Sequence, residues 1–124
     1  MTQTLAIASG GAIGALLRYW TSIAVYNRLG TGFPYGTLAV NVIGSLLMGF
    51  LFIWFTDRVT MGPAIRGFLL IGVLGAFTTF STFSLETLNL IESGQLGKAV
   101  LNVVVSVLVC VTAAGLGVLA ARQI

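Results

Sequence analysis

The sequence predicts an all-α integral membrane protein with four transmembrane helices, and two observations carry that prediction. First, the 124 residues are 57% hydrophobic and only 7% charged, with a mean hydropathy of +1.05. Soluble domains carry roughly 25% charged residues, so this chain has too few polar groups to cover a globule. Second, the apolar residues fall into segments of about 20, the length that crosses a bilayer. The length suits one domain, residues 1–124, without a soluble appendage.

The four segments follow one another with short polar connections. They cover about residues 5–26, 36–55, 63–91 and 98–121. The turn signal GTGFPYG precedes the second segment and SGQLG precedes the fourth. Pro63 suits the first turn of the third helix, where its missing N–H needs no partner. The first segment lacks a basic leader and a convincing cleavage site, so we expect a retained helix.

The third segment is longer than one straight crossing requires, and its middle is unusual. The stretch GAFTTFSTFS, residues 75–84, interleaves three phenylalanines with five hydroxyl residues, after Gly72. A break in a membrane helix frees backbone carbonyls, which are tolerated only where protein buries them or where they line a cavity. We therefore predict a mid-membrane break at about residues 75–78. Because no acidic residue lies between Gly72 and Thr82, neutral oxygens would coordinate a cation there, which favours a monovalent ion.

Composition also limits the classes of function. The chain has no histidine and a single cysteine, Cys110, so a zinc site, a Ser/His/Asp triad or a Cys/His pair is excluded or unsupported. Glu86 has no sequence partner for acid–base work and no cofactor motif is present, so an enzyme is the least favoured class. The formal charge of +3 is too small and scattered to indicate nucleic acid.

The basic residues give almost no orientation in the membrane. With four crossings, Arg58, Arg66 and Arg122 lie on one side, and Arg28 and Lys98 on the other. The positive-inside rule cannot choose between three charges and two. Two explanations stay open: a short chain simply has few charges, or copies insert both ways and pair antiparallel. Recurrent glycines allow close helix packing within one bundle or between copies.

Three polar residues inside the predicted helices are candidate functional residues. Arg18 is a candidate because an ionisable group is costly in a membrane, although its long side chain also suits snorkelling to the headgroups. Asn41 can cap neighbouring backbone or line a polar path. Glu86 can pair with a basic group or bond to a hydroxyl; an open carboxylate in a narrow pore would repel anions, so we expect it to be paired or protonated. The net positive charge of the chain would suit the passage of an anion better than that of a cation.

Two further patterns lie on the third and fourth helices. Asn102, Ser106 and Cys110 follow one another at i+4 spacing, which either holds helices together or offers donors to an ion. Phe80 and Phe83 share a helix face. Paired phenylalanines are usually core residues, but these two come directly after the predicted break.

At this point the sequence resembles the Fluc family of fluoride channels, also called the CrcB family. The motifs are GGAIGALLRY, YGTLAVNVIGS and GAFTTFSTFSLE, and the resemblance covers nearly the whole chain. The last two motifs together are highly specific. The resemblance implies a passive channel in the cell (inner) membrane that exports fluoride from the cytoplasm and lowers its toxicity. It also implies an antiparallel, dual-topology homodimer with two pores and a structural sodium ion at its centre, where the two third helices break.

The resemblance also assigns residues. The sodium-binding backbone carbonyls fall on Gly75 and Thr78. The fluoride pore falls on Asn41, Phe80, Phe83, Asn102 and Ser106. Supporting polar residues are Arg18, Thr79 and Glu86. The chain departs from the family pattern at Cys110 and Ala114, where hydroxyl residues can occur, so the polar track beyond Ser106 stays open.

The chemistry of fluoride agrees with these assignments. Fluoride is small and strongly hydrated, so a pore must replace the hydrogen bonds of water. The electropositive edges of Phe80 and Phe83 and the N–H groups of Asn41 offer such replacement. Without a fixed positive charge the site holds the ion weakly enough to release it, as conduction requires.

Two other functions compete with a channel. A small four-helix proton-coupled exporter of cationic compounds would need a carboxylate in its first helix, where this chain has Arg18 and no acid. A non-conducting structural subunit would need only the packing glycines, and it leaves the motifs of the second and third helices unexplained.

Overall fold

Helices account for almost the whole computed structural model, which describes residues 1–124 and contains no strand. Two long helices come first, α1 (Thr2–Leu29) and α2 (Tyr35–Ile53), and a π-helical turn, Trp54–Arg58, extends α2. The third segment begins with α3 (Pro63–Arg66), the π-helical stretch Gly67–Leu74 and α4 (Gly75–Phe77). After an interruption, α5 (Phe80–Glu92) and α6 (Leu96–Gln123) complete the chain.

Two glycines end helices in a conformation that other residues rarely adopt. Gly30 and Gly94 have φ angles of 82° and 80°, in the left-handed region that glycine reaches without steric cost. The N–H of Gly30 donates to the carbonyl of Tyr26 over 2.8 Å and closes the last turn of α1. Both glycines therefore turn the chain sharply at the same end of the molecule.

Three helical runs are long and apolar enough to cross a membrane: Tyr35–Arg58, Pro63–Glu92 and Leu96–Gln123, with mean hydropathies of 2.1, 1.8 and 2.6. The chain is therefore a multi-pass membrane protein. Helix α1 is 28 residues long but is not among these runs, since glycines, Ser9 and Arg18 dilute its apolar residues. A crossing by α1 stays a prediction.

The interruption of the third segment lies later than the sequence suggested. We predicted it at residues 75–78, but Gly75 is helical (φ −62°, ψ −37°) and the helix continues through Phe77. Thr78 (ψ 158°) and Thr79 (φ −151°) are the extended residues. The reason is that a side chain from α2, described below, fixes the break after the preceding glycines and not at them.

Those glycines serve helix packing instead. Helix α1 packs mainly against the π-helical stretch. A methyl group on Gly72 would lie 2.7 Å from the carbonyl oxygen of Ile7, and one on Gly10 or Gly14 would overlap the carbonyls of the facing backbone. Backbone therefore meets backbone along this contact, as small residues permit between membrane helices.

The contact between α2 and α6 is built in the same way and is the most extensive in the molecule. A methyl group on Gly49 would overlap the carbonyl of Ala114, and one on Gly117 would overlap the carbonyl of Leu46. By contrast, Gly115 faces open space. Each helix thus contributes one glycine that admits the backbone of the other.

Much of the remaining surface of α6 is apolar and exposed on the single chain. Leu108 and Val111 are 62% and 68% exposed, and several neighbouring valines are similar. An apolar face of this kind is compatible with lipid or with another apolar protein surface. The core proper is small, and it lies where α2 contacts α6 and the break.

Candidate functional site

The break is held by one amide side chain from α2. The Nδ2 of Asn41 donates to the carbonyl of Thr79 over 3.1 Å, and the N–H of Thr79 donates to Oδ1 of Asn41 over 2.8 Å. The side chain therefore satisfies both polar backbone groups of one extended residue. Of the two roles considered for Asn41, backbone capping is the one that the geometry shows directly.

A glycine lets α2 come close enough for this pairing. Gly44 follows Asn41 by three residues and lies on the same face of the helix. A methyl group on Gly44 would overlap the Cγ2 of Thr78 and would lie 3.3 Å from the Phe77 ring. The approach of α2 to the break therefore requires glycine at this position.

Hydroxyl side chains secure the two helix ends at the break. The Oγ1 of Thr79 accepts a hydrogen bond from the N–H of Thr82 over 3.1 Å and caps the start of α5. On the other side, the hydroxyl of Thr78 donates to the carbonyl of Leu74 over 3.1 Å. The Thr79 hydroxyl thus replaces a lost helical acceptor, whereas the Thr78 hydroxyl adds a second hydrogen bond to a carbonyl that already accepts the N–H of Thr78.

The break also leaves a backbone carbonyl without its helical donor. In an uninterrupted helix the oxygen of Gly75 would accept the N–H of Thr79, but that N–H donates to Asn41. Gly75 is exposed on the single chain and Thr78 is half-buried. No cluster of His, Cys, Asp or Glu side chains lies anywhere in the chain. Neutral oxygens of this kind suit a monovalent cation better than a transition metal.

A cavity of about 400 Å³ lies beside the break, between α2, α5 and α6; we call it the break cavity. Its lining combines both threonines of the break with small, aromatic and sulfur-containing side chains: Asn41, Gly44, Ser45, Met48, Thr78, Thr79, Phe80, Phe83, Ser106, Val107, Cys110, Val111 and Ala114. Four of the five predicted pore residues are therefore brought together. Few polar groups face an otherwise apolar wall, which is typical of a ligand or ion site.

The two phenylalanines stand side by side but in different surroundings. Their ring centroids are 5.4 Å apart with an interplanar angle of 43°. Phe83 is 9% exposed and packs in the core, whereas Phe80 is 78% exposed on the single chain. One ring is therefore enclosed by its neighbours, and the other is largely exposed on the single chain.

The fifth predicted pore residue, Asn102, does not line the break cavity. It is 2% exposed, and its Nδ2 donates to the hydroxyl of Thr87 over 2.9 Å. Thr87 donates in turn to the carbonyl of Phe83 over 2.7 Å. Ser106 donates to Oδ1 of Asn102 over 3.3 Å. Asn102 thus joins α6 to α5 through Thr87 and is hydrogen-bonded to Ser106, which does line the cavity.

Glu86 lies in a second cavity of about 410 Å³, which we call the Glu86 cavity. The hydroxyl of Tyr26 donates to Oε2 of Glu86 over 2.8 Å, and the hydroxyl of Thr37 donates to Oε1. Of the two options left open by the sequence, hydroxyl partners are the ones present. No basic side chain lines this cavity.

Arg18 lies apart from both cavities. It is half-buried on α1 and belongs to neither lining. On the single chain it therefore does not share a site with Asn41 or the phenylalanines, and a supporting role for it stays a prediction.

Sequence reasoning missed the two hydrogen-bond partners of Glu86, Tyr26 and Thr37. They lie 60 and 49 positions from Glu86 in the chain, so no local spacing connects them. The only available signal was that a carboxylate among apolar residues needs partners.

The chain is similar to known proteins over nearly its whole length. The family model described as CrcB-like protein, Camphor Resistance (CrcB), matches residues 5–118. A protein of Magnetococcus marinus named Fluoride-specific ion channel FluC is 57% identical over 118 residues, which cover 95% of this chain and 96% of that protein. Proteins of the same name from Shewanella halifaxensis and Citrifermentans bemidjiense are 51% and 47% identical over 94% and 100% of both partners.

Proposed function

The chain belongs to the CrcB-like family, and from this premise we propose that it is a fluoride-selective ion channel that lets fluoride leave the cytoplasm passively. The observation that carries this proposal is near-full-length identity of 47–57% to proteins named fluoride-specific ion channels. As a channel it is not an enzyme. The exporter of cationic compounds finds no support among these relatives.

The break cavity supports conduction of a small anion. Only one hydrogen of the Asn41 amide is used by Thr79, so the second N–H is available to an anion. The hydrogen bond from Ser106 to Asn102 is 3.3 Å long, beyond the usual 2.5–3.0 Å for a hydroxyl donor. This hydroxyl can therefore turn towards fluoride at small cost.

The aromatic rings complete the path. The rims of Phe80 and Phe83 carry the positive part of the ring quadrupole, and both rings line the break cavity. No lysine or arginine lines it, so fluoride meets partial charges only. Such binding replaces water yet releases the ion, which conduction requires.

We further propose that the channel is an antiparallel, dual-topology homodimer in the cell (inner) membrane. The balanced count of basic residues on the two sides and the exposed backbone at Gly75 support this arrangement. The chain's own residues fit a structural sodium ion, which the carbonyls of Gly75 and Thr78 from both copies would hold. Carbonyl oxygens that face one another carry partial negative charges and repel. A bound sodium ion would supply the positive charge that offsets this repulsion.

Fluoride efflux from liposomes tests the proposed function. Purified protein is reconstituted into liposomes loaded with potassium fluoride, valinomycin is added, and a fluoride electrode follows release. Chloride-loaded liposomes and protein-free liposomes are the controls. We expect rapid, fluoride-selective efflux without a proton gradient. Absence of efflux from folded protein in sodium-containing buffer would reject a channel.

A further inference from the structure

We propose that Tyr26 is a positioning residue of the channel, which holds the carboxylate of Glu86 away from the path of fluoride. This inference rests on the proposed function. It starts from the Glu86 cavity, whose lining includes Tyr26, Phe33, Glu86, Asn89 and Ser93.

The Glu86 cavity and the break cavity are lined by residues from neighbouring turns of α5. Phe83 lines the break cavity and Glu86 lines the other. The two residues are three positions apart, so their side chains lie on the same side of the helix, one turn apart. An anion that passes Phe83 along this face therefore meets Glu86 next.

A carboxylate at this place is an obstacle to an anion. Like charges a few ångströms apart repel strongly where little water intervenes. Tyr26 and Glu86 are the only titratable groups in the lining of the Glu86 cavity. The exposed Lys98 on α6 does not line this cavity, and its ammonium group donates to the carbonyl of Gly32, a lining residue, over 2.8 Å. α2 contributes Thr37, which has no charge.

Two hydrogen bonds hold the Glu86 carboxylate in a fixed direction. Tyr26 donates to one carboxylate oxygen and Thr37 to the other, so both oxygens are directed at α1 and α2. Such hydrogen bonds to an ionised acceptor are stronger than neutral ones. The carboxylate is therefore held by donors that come from two helices other than its own.

The position of the Tyr26 ring is itself specified. Gly36, directly before Thr37, faces the ring, and a methyl group on Gly36 would overlap three ring atoms. Gly36 therefore lets Tyr26 lie against α2 and reach Glu86. Two independent contacts thus fix the Tyr26 side chain: the hydrogen bond from its hydroxyl to Glu86 and the packing of its ring against Gly36.

Tyr26→Phe tests this role in the efflux assay with the wild-type protein measured in parallel. We expect a loss of fluoride efflux of about tenfold, because the released carboxylate turns into the path. In Tyr26→Phe/Glu86→Gln the charge is absent, so efflux recovers well above that of Tyr26→Phe alone. Tyr19→Phe is the matched control, since Tyr19 is on the same helix and 61% exposed, and it keeps wild-type efflux.

Gly36→Ala provides a second test that keeps the tyrosine. It displaces the ring, and we expect the same loss of efflux and the same recovery with Glu86→Gln. Wild-type efflux in folded Tyr26→Phe would overturn the positioning role, as would a double variant no faster than Tyr26→Phe. Absence of efflux from the wild-type protein would instead count against the channel itself.

Discussion

The side chain of Asn41 and the backbone of Thr79 form a reciprocal pair of hydrogen bonds, 3.1 and 2.8 Å long, between α2 and the interrupted third segment. Each partner donates once and accepts once. The amide thus imitates a neighbouring peptide group, and it satisfies two backbone groups that would otherwise be buried without partners. A residue proposed to line the pore is therefore also the one that shapes it.

We predict that Asn41→Asp destabilises the protein by about 1–3 kcal/mol, because aspartate lacks the donor and places a carboxylate against the Thr79 carbonyl. The measurement is thermal unfolding in detergent, followed by circular dichroism. Thr56→Ser is a suitable control, since the Thr56 hydroxyl bonds only within its own helix. An Asn41→Asp variant as stable as the wild type would show that the pairing contributes little.

The cap at the start of α5 gives a second prediction. Thr79→Ala removes the oxygen that accepts the Thr82 N–H and should cost about 1 kcal/mol of stability. Thr79→Ser keeps that oxygen and should remain close to the wild type in thermal unfolding. Equal losses in both variants would contradict a capping role for the hydroxyl.

The two pore phenylalanines should separate stability from transport. Phe80→Ile changes an exposed ring and should leave stability nearly unchanged, whereas Phe83→Ile changes a buried ring and should cost about 1 kcal/mol. Both should slow fluoride efflux by at least about tenfold, equivalent to about 1.4 kcal/mol. Normal efflux in both variants would exclude the ring edges as fluoride ligands.

Glycines of α6 provide a prediction with an internal control. Gly117→Ala would push a methyl group into the carbonyl of Leu46 and should destabilise the protein by about 1–3 kcal/mol. Gly115→Ala meets nothing within 4 Å and should stay within about 0.5 kcal/mol of the wild type. Similar thermal midpoints for the two variants would mean that α2 and α6 pack less closely than described.

Sodium should stabilise the proposed dimer specifically. Replacing sodium with N-methylglucamine removes a ligand that only the assembled protein binds, so the thermal midpoint should fall as sodium is withdrawn. Potassium at equal ionic strength separates a specific site from general screening. A midpoint that does not respond to sodium would argue against a site at the carbonyls of Gly75 and Thr78.

Sequence alone predicted the helical membrane fold and an interruption in the third segment. These features depend on local composition: runs of apolar residues, and a stretch rich in hydroxyls inside one of them. The residues assigned to the pore came from the family resemblance instead, and the structure brings four of them together at the break cavity. The interruption was predicted a few residues too early because segment length and composition locate it only roughly, whereas Asn41, 38 residues away, pairs with the backbone of Thr79. Pairings between distant helices carry no local periodicity, so the sequence could name Glu86 but not Tyr26.

The same logic explains the position of Asn102. Its i+4 spacing with Ser106 predicted a shared polar face, and the two side chains are indeed hydrogen-bonded. Spacing along one helix does not say which neighbour that face meets, however. Here the neighbour of Asn102 is Thr87 on α5, so the residue links two helices that line the cavity without lining it itself.

The pairing of Asn41 with Thr79 also has a consequence for biosynthesis. The chain emerges from the ribosome in order, so α2 with its asparagine precedes the threonine by 38 residues. When the third segment enters the bilayer, the Asn41 side chain that pairs with Thr79 is already present in α2. The peptide groups of the break therefore need not remain in lipid without partners. If the two segments followed in the reverse order, the break would enter the membrane before the asparagine that pairs with it had been synthesised.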